Sequence, residues 1–168
     1  MQKILENYAF IDSQNLNLGI RDQGWQLDFY RFRVYLTNKY GVEKAYMFLG
    51  YLEENEKMYE TLRRYGYELV FKPVVRTKNH EVKGNVDAEL VLQAMIDYQN
   101  YAKAVVVTGD GDFYCLVKYL NGQDKLLKVL VPNQKKHSAL LRKALTSPQY
   151  IAFVNPLRHL VEHKKQHP

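Results

Sequence analysis

The sequence contains little that would stabilise the fold from outside its hydrophobic core. Cys115 is the single cysteine among 168 residues, so no disulfide can form within the chain, and a reducing compartment is favoured. Its spacing from Phe113, Leu116 and Val117 predicts a buried, unreactive thiol. A chain of this length buries roughly two-thirds of the surface that its unfolded form exposes, so folding needs neither a disulfide nor a metal ion. Any bound metal would therefore serve function.

Long apolar runs, repeats and low-complexity linkers are also absent. No segment approaches the ~20 apolar residues of a membrane span, and the N-terminus does not have the layout of a signal peptide. We therefore expect a cytoplasmic protein that does not act at a membrane. Gly19 and Gly24 do not supply the G-x-G-x-x-G pattern of a dinucleotide-binding fold. One domain is predicted over residues 1–168, with its core at about 8–154 and a helical tail at 156–168.

Short apolar runs alternate with segments of helical period along the chain. This alternation predicts an α/β fold of three α/β/α layers, with a mostly parallel central sheet of about six strands. The longest irregular segment is Pro73–Gly84, and loops of such length commonly have a function. The predicted strands are Tyr8–Asp12, Lys44–Leu49, Glu68–Lys72, Ala104–Thr108, Leu126–Val131 and Ile151–Val154. The predicted helices are Asp28–Tyr40, Glu53–Tyr65, Asn85–Tyr101, Asp112–Leu120 and Ser138–Leu145.

Basic residues outnumber acidic ones by 24 to 18, which gives a formal net charge of +6. They concentrate in residues 72–84 and 118–143. Such clusters suit a polyanion such as nucleic acid, and they are equally typical of solvated helix faces. Both regions include a loop that leaves the predicted sheet at its carboxyl edge. We expect these loops to flank a nucleic-acid-binding cleft through Arg76, Lys78, His80, Lys135, Lys136 and His137.

Acidic residues gather where the predicted strands end. Asp12 ends the first strand and Asp110 follows the fourth. In open parallel sheets, ligands bind beyond the carboxyl edge at the point where the strand order reverses. Asp112 opens the next helix beside Asp110. These residues are therefore expected to be neighbours if the first and fourth strands pair.

The helical period of the third predicted helix indicates where a further carboxylate, that of Asp87, lies. Asp87 lies three residues before the apolar Leu90, so it falls on the sheet-facing side, in the first turn. That position is close to the edge where the first and fourth strands end. The apolar side of this helix comprises Leu90, Val91, Ala94, Met95 and Tyr98, and the solvent-facing side comprises Glu89, Gln93, Asp97 and Asn100.

Each aspartate also has a purely local interpretation. Asp112 is a candidate helix N-cap, Asp87 complements a helix dipole, and Asp12 and Asp110 are common turn residues. Their joint placement favours a shared site, because like charges about 4 Å apart repel by roughly 4 kcal/mol at an effective dielectric near 20. A divalent cation relieves this repulsion, and all-oxygen ligands select hard ions such as Mg²⁺ or Mn²⁺. Beside basic loops, such a site suits phosphodiester hydrolysis.

Five motifs occur in a characteristic order: FIDSQNL, KGNVDAELVLQAM, VVVTGDGDFYCLV, KVLVPN and HSALLRKALTSPQYIAF. Together, from about Tyr8 to Val154, they resemble the NYN domain, LabA-like branch, of the PIN-like nuclease superfamily. The resemblance implies a metal-dependent ribonuclease, expected to be an endonuclease that acts on single-stranded RNA. It also implies a Mg²⁺ or Mn²⁺ site and catalysis by Asp12, Asp87, Asp110 and Asp112, supported by Ser13, Asn15, Lys83 and Thr108.

One functional alternative stays open. Gln14 stands where many relatives have glycine, and Asn85 and Val86 make the K-G motif one residue longer than usual. Both differences favour a non-catalytic module that binds RNA or a protein. A homodimer or a protein partner is compatible with either function.

Overall fold

The computed structural model describes residues 4–76, 82–83 and 85–165, and at residues 75, 76, 82 and 83 it describes only the backbone. The strands are β1 (Asn7–Asp12), β2 (Val42–Gly50), β3 (Tyr67–Lys72), β4 (Val75–Arg76), β5 (Val82–Lys83), β6 (Ala104–Val107), β7 (Leu126–Val131) and β8 (Ile151–Phe153). The helices are α1 (Ser13–Arg21), α2 (Phe29–Tyr40), α3 (Glu56–Arg64), α4 (Asp87–Ile96), α5 (Tyr114–Gly122), α6 (Ala139–Lys143) and α7 (Arg158–Val161).

Six strands form one parallel sheet in the order β3-β2-β1-β6-β7-β8. Helices α1, α2, α3 and α7 cover one face of this sheet, and α4, α5 and α6 cover the other. The predicted three-layer α/β/α fold is therefore confirmed. The strand order reverses between β1 and β6, and this arrangement opens a crevice at their carboxyl ends.

Apolar side chains on both faces of the central strands build two core layers. Along β1, Ala9 and Ile11 belong to one layer, whereas Tyr8 and Phe10 belong to the other. Successive residues of a strand point to opposite faces, so a strand covered on both sides is apolar throughout. All four residues of β6 are fully buried for this reason. The two strands thus hold their carboxyl ends in fixed positions.

Two segments differ from the predicted elements. Helix α1 occupies a stretch for which no element was predicted, and it buries only Leu16 and Ile20. Two buried apolar residues in nine, with Leu18 exposed between them, leave a weak periodic signal. Strands β4 and β5 form an antiparallel pair inside the predicted loop 73–84. With two residues each, they are too short to produce an alternating pattern.

The far end of α4 also departs from the prediction. Met95, predicted on the buried side, is 39% exposed, whereas Asp97, predicted to face solvent, is buried. The helix ends at Ile96, so Asp97 no longer follows its period. The Asp97 carboxylate instead accepts hydrogen bonds from the Tyr46 hydroxyl and from the side-chain amides of Gln93 and Asn100.

Cys115 is exposed, so the predicted buried thiol is wrong. Helix α5 begins at Tyr114, and its buried residues are Leu116, Val117 and Leu120. Cys115 lies about 100° around the helix from Leu116 and about 200° from Val117. Its side chain therefore points away from the sheet.

The C-terminal segment forms less helix than predicted for 156–168. Helix α7 has four residues, and Glu162 then adopts an extended backbone and bridges Leu27 in antiparallel fashion. Val161 is buried in the layer of α2. The part of the segment that the structure describes, up to residue 165, is thus attached to the domain by one buried side chain and a β-bridge.

Replacement of Tyr46 by Phe is expected to lower the free energy of unfolding by about 1–2 kcal/mol, because it removes a hydrogen bond to the buried Asp97 carboxylate. Urea denaturation measures the change. Tyr8→Phe is the matched control, since Tyr8 packs in the same layer and its hydroxyl makes no hydrogen bond to the described residues. Equal losses in the two variants would contradict the assignment.

Candidate active site

Three carboxylates meet at the carboxyl edge of the sheet. Asp12 is the last residue of β1, Asp110 follows β6, and Asp87 is the first residue of α4. One oxygen from each lies within 4.8 Å of the others. Asp12 is only 5% exposed, and the other two are half-buried. The parallel pairing of β1 with β6 and the packing of α4 on β1 create this cluster.

Each of these carboxylates stands at the start of a helical segment. Asp12 caps α1 and accepts a hydrogen bond from the Asn15 amide at 3.2 Å. Asp110 caps the 3₁₀ turn Gly111–Phe113 and accepts one from the Asp112 amide at 2.9 Å. The local cap interpretation therefore coexists with the cluster for these two residues. Asp112, the candidate N-cap, is instead the residue whose amide donates to the cap.

Two polar side chains fix the distance between β1 and the segment after β6. The Thr108 hydroxyl donates to Asp12 at 3.2 Å and accepts a hydrogen bond from the Asp110 amide at 3.1 Å. Asn15 accepts a hydrogen bond from the Gly109 amide at 2.7 Å through its side-chain oxygen. Asp12 and Asp110 are therefore held by the same small network. Asn15 acts in it by joining α1 to the loop.

Gly111 explains the spacing of the two aspartates in GDGD. A Cβ atom at this position would lie 2.3 Å from the Ser138 Oγ. Ser138 is the N-cap of α6 and accepts a hydrogen bond from the Leu140 amide. The close approach of α6 thus requires glycine between Asp110 and Asp112.

The environment disfavours the ionised form of two of the carboxylates. Burial raises the pKa of Asp12 to about 6; the charges of Asp87 and Asp110 add to the increase, and the hydrogen bonds from Asn15 and Thr108 oppose it. Burial also raises the pKa of Asp87, and the charges of Asp110 and Asp112 contribute. The donors therefore offset only part of the cost of gathering these charges.

A cavity of about 400 Å³ contains the cluster. All three aspartates line it together with residues that sequence reasoning did not select. Asn133 follows β7 at the same edge, so the rule that identified Asp12 and Asp110 applies to it too. Asp22 follows α1, and because this helix was not predicted, no sequence pattern indicated that Asp22 would line the cavity. The further lining residues include Gln14, Asn15, Asn85 and Lys136.

The remaining predicted acidic and supporting residues occupy varied positions. Asp112 is exposed and lies outside the group of three, although its charge acts on Asp87. Ser13 is half-buried at the start of α1 and faces a neighbouring cavity. Lys83 belongs to β5, and its side chain lies outside the described part.

The predicted basic residues are only partly brought to the cavity. Lys136 lines it and pairs with Asp22 at 3.0 Å. The His137 ring donates to the Gln134 carbonyl at 2.7 Å and packs on Phe153, so these contacts orient it. Lys135 is exposed, Arg76 is described only by its backbone in β4, and Lys78 and His80 lie outside the described residues.

The donor set suits a hard divalent cation. Carboxylate oxygens are the ligands that Mg²⁺ and Mn²⁺ prefer, whereas zinc sites usually include histidine or cysteine. The cluster found among the described residues consists of aspartates alone. Asp12, Asp87 and Asp110 could therefore hold such an ion.

Comparison with known proteins identifies the family. The chain matches the NYN domain over residues 8–152 and belongs to the NYN domain family. This membership places it in the PIN-like nuclease superfamily. Among the curated proteins, none matches significantly. In the described residues, no helix has the length and apolarity that crossing a membrane requires.

A solved structure has the same fold. A crystal structure of a Vibrio parahaemolyticus protein of unknown function is similar, with a TM-score of 0.71 and 24% sequence identity. The match covers 92% of this chain and 96% of that one. At this level of identity, the likeness concerns the fold alone.

Replacement of Asp12 by Asn is expected to stabilise the metal-free protein at pH 7.5 by roughly 2 kcal/mol. The folded state holds the Asp12 proton up to about pH 6, whereas the ordinary value is 3.8. The protonated Asp12 carboxyl therefore makes its full contribution to the free energy of unfolding below about pH 4, and this contribution is lost as the pH rises through 6. Urea denaturation in EDTA at pH 4 and pH 7.5 measures the effect, which should vanish at pH 4.

Asp124→Asn serves as the control for this measurement. Asp124 is exposed and precedes β7, at the opposite edge of the sheet. Its replacement should shift stability little at either pH. A stability of Asp12→Asn that falls below that of the unchanged protein at pH 7.5 would argue against a net cost of burying this charged carboxylate in the cluster.

Proposed function

We propose that this protein is a metal-dependent ribonuclease of the LabA-like branch, and that it cleaves RNA internally at the carboxyl edge of its sheet. The convergence of Asp12, Asp87 and Asp110 within 4.8 Å carries the proposal. It lies at the reversal of the strand order, where open α/β sheets bind their ligands. Membership of the NYN family supports nuclease chemistry at this position.

The three clustered aspartates would hold Mg²⁺ or Mn²⁺. When bound, the ion would activate a water molecule and offset the charge that develops on the phosphate. Asp112 is exposed next to this group and acts on it through its charge. We assign it to the outer side of the site, where it would influence Asp87 from outside the group of three.

The protein's own residues position the reacting groups. Thr108 and Asn15 keep the carboxylates at fixed separation, so ligand binding needs little rearrangement. Lys136 is the one basic residue among the described residues that line the cavity, and we assign it to contact a phosphate oxygen. Lys135, exposed beside it, together with Arg76, Lys78, His80, His137 and Lys83, is proposed to extend contact along the RNA backbone.

Single-stranded RNA is the proposed substrate. The cavity is an open recess of about 400 Å³ at the carboxyl edge of the sheet. An unpaired strand can bend its backbone into such a recess, whereas a duplex presents its phosphates on a stiff, wide surface. The same reasoning favours internal cleavage, since a strand can cross an open crevice without presenting an end.

Replacement of Asp110 by Asn should reduce cleavage of single-stranded RNA by roughly 100-fold or more, because loss of a direct ligand should exceed the 10–100-fold effect typical of an outer partner. Initial rates on labelled single-stranded RNA, duplex RNA and DNA, titrated with Mg²⁺ and Mn²⁺, measure the effect. EDTA should abolish cleavage by the unchanged protein. Asp124→Asn, at the opposite edge, should retain full activity.

Two results would contradict the proposal. Cleavage that persists in EDTA would exclude a metal-dependent mechanism. RNA binding with no cleavage under any divalent ion would favour the non-catalytic binding module. The stability change that Asp12→Asn produces does not depend on cleavage. Catalytic activity and the stability effect can therefore be measured separately.

A further inference from the structure

A second cavity adjoins the acidic one on the side of β2. It has a volume of about 500 Å³, in the range of small-molecule sites. Gln14 and Val86 line both cavities, so the two lie side by side. The second cavity lies beyond the carboxyl end of β2, between α1 and α3. A strand that crosses the carboxylates can therefore enter it without leaving the surface.

The interior of the second cavity is apolar and held in place. Phe48, Leu49 and Tyr59 are buried at its base. The Tyr59 hydroxyl donates to the Gly50 carbonyl at 3.3 Å and accepts a hydrogen bond from the Leu52 amide at 3.0 Å. These bonds fix the segment that follows β2. The apolar base of the cavity is thus held by hydrogen bonds in the ligand-free protein.

Side-chain amides surround this apolar base. Asn17, Gln26 and Asn55 line the cavity, and their side chains make no hydrogen bond to any described residue. An amide offers both a donor and an acceptor. Three such groups beside an apolar surface match a flat heterocycle with donors and acceptors along its edge.

The charge of the second cavity contrasts with that of the first. None of its lining residues in the described part of the chain is acidic, and Arg21 is its one cationic residue. Arg21 is exposed and makes no ion pair with the described residues. A guanidinium suits a phosphate of the backbone, while the uncharged interior suits a neutral group.

We infer that the second cavity binds one nucleobase of the RNA strand whose neighbouring phosphate lies at the carboxylates. This inference rests on the proposed function and adds to it a site of recognition. Proteins that recognise single-stranded RNA insert unstacked bases into apolar recesses and bind the base edges by hydrogen bonds. Asn17 and Asn55 contact the base edge, and Arg21 contacts the adjoining phosphate.

The test combines removal of a base with removal of the amides. Short fluorescent single-stranded RNAs, each with an abasic residue at one position, are bound to the Asp110→Asn protein in EDTA, and fluorescence anisotropy gives their Kd values. One abasic position should weaken binding about tenfold, as expected for loss of a buried base. When the protein also carries Asn17→Ala and Asn55→Ala, an abasic residue at that position should weaken binding by less than about twofold. Loss of the base and loss of the amides remove the same interaction, so their effects should not add.

Asn38→Ala is the matched control. Asn38 is an exposed amide near the end of α2, toward the opposite edge of the sheet, and the abasic penalty should stay near tenfold in this variant. An equal penalty in the Asn17/Asn55 double variant and in the Asn38 variant would overturn the inference. So would the absence of any position-specific penalty, or of any RNA binding.

Cleavage by the protein with Asp110 intact, measured on the same oligonucleotides in Mg²⁺, separates this inference from the proposed function. Cleavage without a position-specific penalty overturns the base site alone. A penalty that the double variant abolishes, with no cleavage, supports the base site and contradicts the nuclease. Circular dichroism of the double variant confirms its fold, which we expect to be intact because neither amide has a hydrogen-bond partner among the described residues.

Discussion

Repulsion among three carboxylates is the constraint on which the site depends. Two unit charges 4.8 Å apart repel by about 3 kcal/mol at an effective dielectric near 20. The fold offsets part of this cost by placing each carboxylate at a helix start, where amide groups and the helix dipole favour negative charge. The offset is incomplete, because burial, together with the smaller effect of the charges of Asp87 and Asp110, still raises the pKa of Asp12 to about 6. The remaining cost is what a hard cation would remove, so the affinity for an ion and the instability without one have the same origin.

Such a cluster persists only on a rigid support. The parallel sheet supplies it, because β1 and β6 are buried on both faces and cannot shift apart without opening two core layers. The hydrogen bonds of Thr108 and Asn15 then join the segments that follow these strands. Helix α4 contributes its aspartate from a different layer, through packing on β1. The three charges therefore come from segments far apart in the chain, and the core energy of the domain opposes their separation.

Much of this arrangement could be predicted from the sequence, since strand ends and helical periods are local signals. The positions of Asp12 and Asp110 followed from apolar runs that stop, and that of Asp87 followed from the phase of its helix near its start. The predictions of burial are wrong where the exposure of a side chain depends on a contact with a distant residue or on the exact start of a helix. Asp97 is buried because Tyr46, on another strand, donates to it, and no local pattern contains that contact. Cys115 is exposed because Phe113 belongs to a 3₁₀ turn and α5 begins at Tyr114, two residues later than predicted, so that Leu116 and Val117 face the sheet and Cys115 does not.

The charges around the acidic cavity bear on the order of events under the proposed function. Among the described lining residues, four are aspartates and one is a lysine, and that lysine already pairs with Asp22. An RNA phosphate entering this cavity would therefore meet net negative charge, despite the positive charge of the whole chain. Long-range attraction to basic surfaces raises the local concentration of RNA but does not neutralise the cavity itself. A divalent ion would lower this electrostatic barrier to phosphate entry as well as serve the reaction, and removal of one carboxylate lowers the same barrier. The neighbouring cavity has no acidic lining residue in the described part, so a base that enters it does not meet this repulsion.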